Sequence, residues 1–320
     1  MLNNPSQIDP TLKRWLLAIS QQNKAQGKTV NRLTPKIMRE ALAKMTKMHM
    51  PESPEIALVM DTKLECPLGS VPLRIYNPAP DLASPVLLFI HGGGHMCGDL
   101  EVYDGICRNL TKVTRRLVVA VDYSLAPEFP YPTALNECAA VIRGLWNHLT
   151  AHKVRFKPDL TLVGDSGGGA LCATLSALSQ KDTSLPIQRQ ALIYPSLDYT
   201  LSSDTIESLA KGYLLEKDRI EWYFDHYFQK GEKRKEASPL FMPITSKLPP
   251  TLLITAGFCP LKGEAKDYKA RLENARVTVQ HHHEPSQIHA FLNLETLVPE
   301  ACQRTYKAIS TFLPTHAHLS

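Results

Sequence analysis

The segment that most restricts the fold is a strand-like run, Leu160-Thr161-Leu162-Val163, which passes directly into Gly164-Asp165-Ser166-Gly167-Gly168. Small residues follow at once, Gly169-Ala170-Leu171-Cys172-Ala173-Thr174-Leu175, and read as a helix. A buried strand can turn into a helix this abruptly only where side chains are missing beside the turn. A Cβ there would strike the neighbouring strand and helix. The serine at the centre is then held in strained backbone geometry with its Oγ raised above the strand end. The G-x-S-x-G spacing thus points to a sheet whose carboxyl edge presents Ser166 as a nucleophile.

The rest of the chain fits such a sheet. Strand-like runs occur at Val71–Tyr76, Val86–Ile90, Leu117–Val121, Ala191–Tyr194, Leu252–Thr255 and Val277–Gln280. Helical stretches lie between or after them, at Ala134–His148, Gly168–Ser179, Ala265–Leu272 and Glu300–Leu313. Apolar strands alternating with helices predict an α/β fold with a mostly parallel central sheet covered on both faces. Chemistry in such sheets sits at the carboxyl ends of the strands. The stretch Ser203–Phe228 breaks the alternation with helical, aromatic-rich sequence. The first fifty residues read as two helices, Leu12–Ile19 and Ile37–Met48, ended by Pro51–Pro54. The expected organisation is a helical segment 1–50 contributing to a cap, and a main domain 51–320 carrying a cap insertion at about 203–236.

Composition excludes several other classes. The 36 basic and 31 acidic residues leave a net charge of only +5, and the densest charged run, Lys230–Glu236, mixes signs, so no nucleic-acid surface is expected. No apolar stretch approaches the roughly 18 residues that read as a membrane-spanning helix. The N-terminal sequence lacks a charged start followed by an apolar run, which points to the cytoplasm. Seven cysteines without a repeated spacing resemble neither a disulfide framework nor a zinc site. The expected partner is a small molecule, and association as a homodimer is left open.

A second motif, His91-Gly92-Gly93-Gly94, directly follows the strand-like Val86–Ile90. Acyl transfer creates an oxyanion that needs converging N–H donors, and backbone without side chains can approach it closest. The donors expected are Gly92, Gly93 and Gly167, the residue after the nucleophile. Among twelve histidines, His289 has the right place for a general base, after the last strand-like run and a turn containing Pro285. His91 and His95 are expected to shape their loop. His281, His282 and His283 are consecutive, so along a strand they alternate between faces and cannot all converge on one metal.

These residues resemble the hormone-sensitive-lipase family of microbial esterases, and the similarity covers nearly the whole chain. His91–Gly94 and Gly164–Gly169 are similar to that family's two signature blocks. Asp122-Tyr123-Ser124-Leu125-Ala126-Pro127-Glu128 resembles its D-Y-R-L-A-P-E segment, with Ser124 in place of arginine. Gly212–Leu215, Ser238–Leu240 and His289-Ala290-Phe291 match further family segments. The resemblance implies an α/β-hydrolase fold with a helical cap, hydrolysis of short, uncharged acyl esters, and no metal or organic cofactor.

One block departs from the family. Its D-P-L-x-D-E corresponds here to Cys259-Pro260-Leu261-Lys262-Gly263-Glu264, so both aspartate positions are lost and Cys259 stands where the triad acid is expected. A neutral thiol is a weak acceptor and brings no charge. Asp198, after the strand-like Ala191–Tyr194, and Glu264, near the start of the next helix, are conceivable substitutes. Capping its loop is nevertheless the expected role of the first, and complementing the helix dipole that of the second. The missing acid also leaves a second reading open, a receptor-like or ligand-binding protein with impaired catalysis.

Overall fold

A computed structural model of the chain describes residues 7–25 and 33–314, so parts of the N-terminal segment 1–50 lie outside the described residues. Eight strands form one sheet in the order β1-β2-β4-β3-β5-β6-β7-β8. They are β1 (Leu58–Cys66), β2 (Gly69–Asn77), β3 (Ser84–Ile90), β4 (Leu117–Val121), β5 (Phe156–Asp165), β6 (Ile187–Ile193), β7 (Thr251–Phe258) and β8 (Val279–Ile288). β1 and β2 pair antiparallel, β2 pairs antiparallel with β4, and every other pairing is parallel.

The helices are α1 (Pro10–Ala25), α2 (Pro35–His49), α3 (Asp104–Thr114), α4 (Thr133–Ala151), α5 (Ser166–Ser179), α6 (Asp204–Ser208), α7 (Lys217–Tyr227), α8 (Arg234–Ala237), α9 (Lys262–Asn274) and α10 (Pro299–Phe312). Along β3 the two faces alternate. Val86, Leu88 and Ile90 belong to the apolar cluster that also holds residues of α4, α5 and α9, while Leu87 and Phe89 join the cluster holding residues of α3, α10, α1 and α7. Both faces are buried, which is why this strand reads as unbroken apolar sequence.

Two elements had no counterpart in the sequence reading. β1 carries Asp61, Lys63 and Glu65 on an edge, where charge discourages further strand pairing, and so lacks an apolar signature. α3 buries Ile106, Cys107, Leu110 and Thr111 at helical spacing, a signal that was readable. β8 also differs from expectation: it runs unbroken through Pro285 to Ile288, with no turn. Proline is tolerated because β8 is the sheet's last strand.

The β7–β8 pairing shifts register between Ala256 and Phe258, so that Phe258 lies opposite Ile288. Gly257 makes this approach feasible, since a Cβ there would collide with the Pro285 carbonyl. The next residues on the two strands, Cys259 and His289, therefore emerge side by side.

Candidate active site

Ser166 begins α5 at the end of β5, in the middle of the sheet, with φ +51°. That left-handed conformation is strained for a residue with a Cβ, and the surrounding turn imposes it. Ser166 Oγ lies 2.9 Å from His289 Nε2, and both side chains are buried. His289 Nδ1 in turn lies 3.2 Å from Cys259 Sγ. The residues expected as nucleophile, base and acid position thus form one hydrogen-bonded line. Burial lowers the His289 pKa to about 3, so the imidazole is neutral at ordinary pH. Burial pushes the Cys259 thiol well above its ordinary range, so it is neutral too.

The two substitute carboxylates lie elsewhere. Asp198 Oδ1 accepts from Thr200 N and Oγ1 at 2.8 and 2.6 Å, and Oδ2 from Ser202 N and Oγ at 3.0 and 2.6 Å. It folds its own loop and makes no hydrogen bond to His289, which is the loop-capping role and not that of a replacement acid. Glu264, in the first turn of α9, accepts from Leu197 N at 2.6 Å, and burial raises its pKa well above the usual carboxyl range. It makes no hydrogen bond to His289.

The glycine loop requires a second correction. Gly92 N–H donates to Asp165 Oδ1 at 2.7 Å and is not free to meet an oxyanion. Gly93 and Gly94 find no acceptor for their N–H groups among the described residues, and both face the cavity above Ser166 together with Gly167. Gly93 has φ +103°, and a Cβ there would strike the Cys97 carbonyl, so the turn excludes a side chain. Of the three expected donors, Gly92 is thus engaged elsewhere, while Gly93 and Gly167 face the cavity. The motif's spacing could not tell which N–H Asp165 would occupy.

Asp165 also accepts from Tyr103 Oη at 3.3 Å, and burial raises its pKa to about 7. His91 stacks on Tyr123 at 4.3 Å and bonds the Gly92 carbonyl at 2.8 Å, while His95 stacks on Tyr227 at 3.9 Å. Both shape the loop. His281 and His283 share a face, each 2.8 Å from Thr255 Oγ1, whereas His282 bonds Glu284 at 2.9 Å.

Above Ser166 lies a cavity of about 570 Å³. Leu16 and Ile19 of α1, Met38, Leu42 and Met45 of α2, and Leu214, Leu215, Ile220 and Phe224 of the 203–236 stretch make it largely apolar. Its size and lining suit a small organic ligand.

A family profile described as the alpha/beta hydrolase fold matches residues 87–293. The chain is 32% identical to the carboxylic ester hydrolase LipN of Mycobacterium tuberculosis, across 82% of this chain and 71% of that protein. It is 33% identical to an ethyl acetate hydrolase of Pseudomonas putida, across 72% of this chain and 74% of the relative. An ester hydrolase from the Lake Arreo metagenome, solved with a bipyridine phosphonate derivative, superposes with a TM-score of 0.88 at 27% identity. That match covers 95% of this chain and 98% of the other. Among the described residues no helix is long and apolar enough to cross a membrane. The chain belongs to the α/β-hydrolase superfamily and, within it, to the carboxylesterases of the hormone-sensitive-lipase type.

Proposed function

We propose that the chain hydrolyses short-chain acyl esters through Ser166, with His289 as general base and the N–H groups of Gly93, Gly94 and Gly167 receiving the oxyanion. The observation that carries this reading is the 2.9 Å contact between Ser166 Oγ and His289 Nε2 at the floor of an apolar cavity. Ser166 Oγ gives its proton to Nε2 as it attacks the ester carbonyl, and the departing alcohol takes that proton as the tetrahedral adduct collapses. Water, activated by the same imidazole, then releases the acid. For Nε2 to accept, the imidazole proton sits on Nδ1 and is donated to Cys259 Sγ. The helices of segment 1–50 and the 203–236 insertion act as a cap over the acyl site.

Cys259 also favours a second reading, ligand binding with weakened turnover. A neutral thiol does not stabilise the imidazolium formed during attack, and loss of the triad acid costs on the order of 10⁴ in kcat in well-studied hydrolases. Steady hydrolysis of p-nitrophenyl butyrate that disappears in Ser166→Ala supports the esterase. A phosphonate adduct located on Ser166 by mass spectrometry supports the nucleophile. Tight ester binding without turnover would transfer the assignment to the second reading.

A further inference from the structure

Apart from the polar groups around Ser166, two formally charged side chains from the insertion, Glu216 and Arg219, line the largely apolar cavity. Glu216 Oε1 is engaged by the Gly212 N–H at 2.9 Å. Among the described residues the Arg219 guanidinium makes a single hydrogen bond, from Nη1 to the Leu214 carbonyl at 3.2 Å, and its buried Nε finds no acceptor. Of the other cations of the insertion, Lys217 meets Glu207 and Glu221, Lys233 meets Glu236 and Arg234 meets Asp225, while Lys211, Lys230 and Lys235 stand exposed on the surface, where water solvates them. Arg219 has no such partner among the described residues. Nor can a side chain of residues 1–6, 26–32 or 315–320 provide one, because those stretches contain no Asp or Glu.

The position makes this cation more unusual. Arg219 lies in the first turn of α7, where the helix dipole opposes positive charge and favours an anion. One turn further along, Tyr223 packs against Gly94 of the oxyanion loop. Arg219 therefore sits about one turn, roughly 6 Å of helix rise, from the residue that touches that loop.

We propose that Arg219 receives a free carboxylate on the substrate, so that the preferred esters are monoesters of dicarboxylic acids or acyl esters of hydroxy acids. The geometry fits the demands of a guanidinium, which binds a carboxylate through two parallel N–H donors and is costly to leave unpaired in an apolar site. The proposal rests on the esterase reading above and narrows it.

The test compares kcat/KM in two arms by pH-stat titration. In the first, monoethyl succinate, glutarate and adipate are set against ethyl alkanoates of matching length. In the second, 3-acetoxypropanoate and 4-acetoxybutanoate are set against propyl and butyl acetate. The expected result is a preference of about tenfold or more for the charged ester in at least one arm. That preference should weaken as ionic strength rises, and its charged-to-neutral ratio should collapse in Arg219→Gln while Arg219→Lys keeps part of it. A preference for the neutral ester in both arms overturns the proposal, as does a ratio that Arg219→Gln leaves unchanged. If Arg219→Gln does not fold, inhibition of the native protein decides. Glutarate inhibiting more strongly than glutaramide supports the assignment, and equal inhibition overturns it. Absence of all ester hydrolysis, or hydrolysis that survives Ser166→Ala, defeats the esterase reading itself and is distinguishable from either result.

Discussion

Burial pushes the Cys259 thiol above its ordinary range, and the same burial holds the His289 imidazole down to about 3. The base is thus available over the whole physiological range, yet its protonated form has no counter-charge when Ser166 transfers its proton. Cys259→Asp should supply that charge and raise kcat on p-nitrophenyl butyrate by one or more orders of magnitude. The sign of the pH effect follows. A carboxylate 3.2 Å away, at the present thiol position, stabilises the imidazolium, so the acid limb of kcat/KM should move up from near 3 towards the ordinary histidine value. Cys259→Ala should leave both rate and limb almost unchanged. A large loss in Cys259→Ala with the fold intact would mean the thiol has a chemical role of its own. The position of Cys259 was readable from the motif order, but its contact with Nδ1 depends on the register shift at Gly257, which periodicity does not reveal.

At the scale of elements, α2 is tied to the catalytic loop by one side chain. Arg39 Nε donates to the Met96 carbonyl at 2.9 Å, Nη2 donates to the Ala126 carbonyl at 3.0 Å, and Glu128 completes the site at 2.9 and 2.5 Å. Met96 lies two residues beyond Gly94, so Arg39 connects a helix lining the cavity to the loop that carries the proposed oxyanion donors. Arg39→Ala should raise KM for p-nitrophenyl butyrate about threefold to tenfold and alter acyl-length preference, as a 1 Å misplacement of a positioning group readily does. Its ion pair with Glu128 is half exposed, so the stability cost should be about 1 kcal/mol or less by urea unfolding. A stability loss of several kcal/mol with unchanged KM would mean that Arg39 holds the fold and not the site. Helix α2 was legible from its periodicity. Arg39 was not, because its partners are carbonyls 57 and 87 residues away.

Across the whole molecule, His91, His95 and His289 are fully buried, with pKa values lowered to about 4, 3 and 3. Their folded values lie below the unfolded one, so between about 4 and 6.5 the unfolded chain binds more protons at these sites and stability falls as pH falls. Asp165, raised to about 7, and Glu264, also raised, act in the opposite sense above their unfolded values. Asp122 and Glu295 are raised as well, but His49, His148, His281 and His283 are lowered like the three buried histidines. Seven lowered histidines thus stand against four raised carboxyls, so the urea midpoint should decline from pH 6.5 to pH 4.5. A midpoint that rises over that range would contradict these burial-driven shifts. By itself the sequence determined the alternating strands and helices, the Ser166 turn, the glycine loop and the candidacy of His289. Each of these rests on local sterics or on a periodicity contained in a few consecutive residues. Only the tertiary structure decided which glycine N–H groups remain free, that Asp198 and Glu264 serve their own loops, and that Cys259 meets His289. It also decided that Arg219 faces the cavity without a counter-charge. Those outcomes depend on which distant groups compete for the same hydrogen-bond donors and on how far burial removes them from water, and neither is written in any single stretch of the chain.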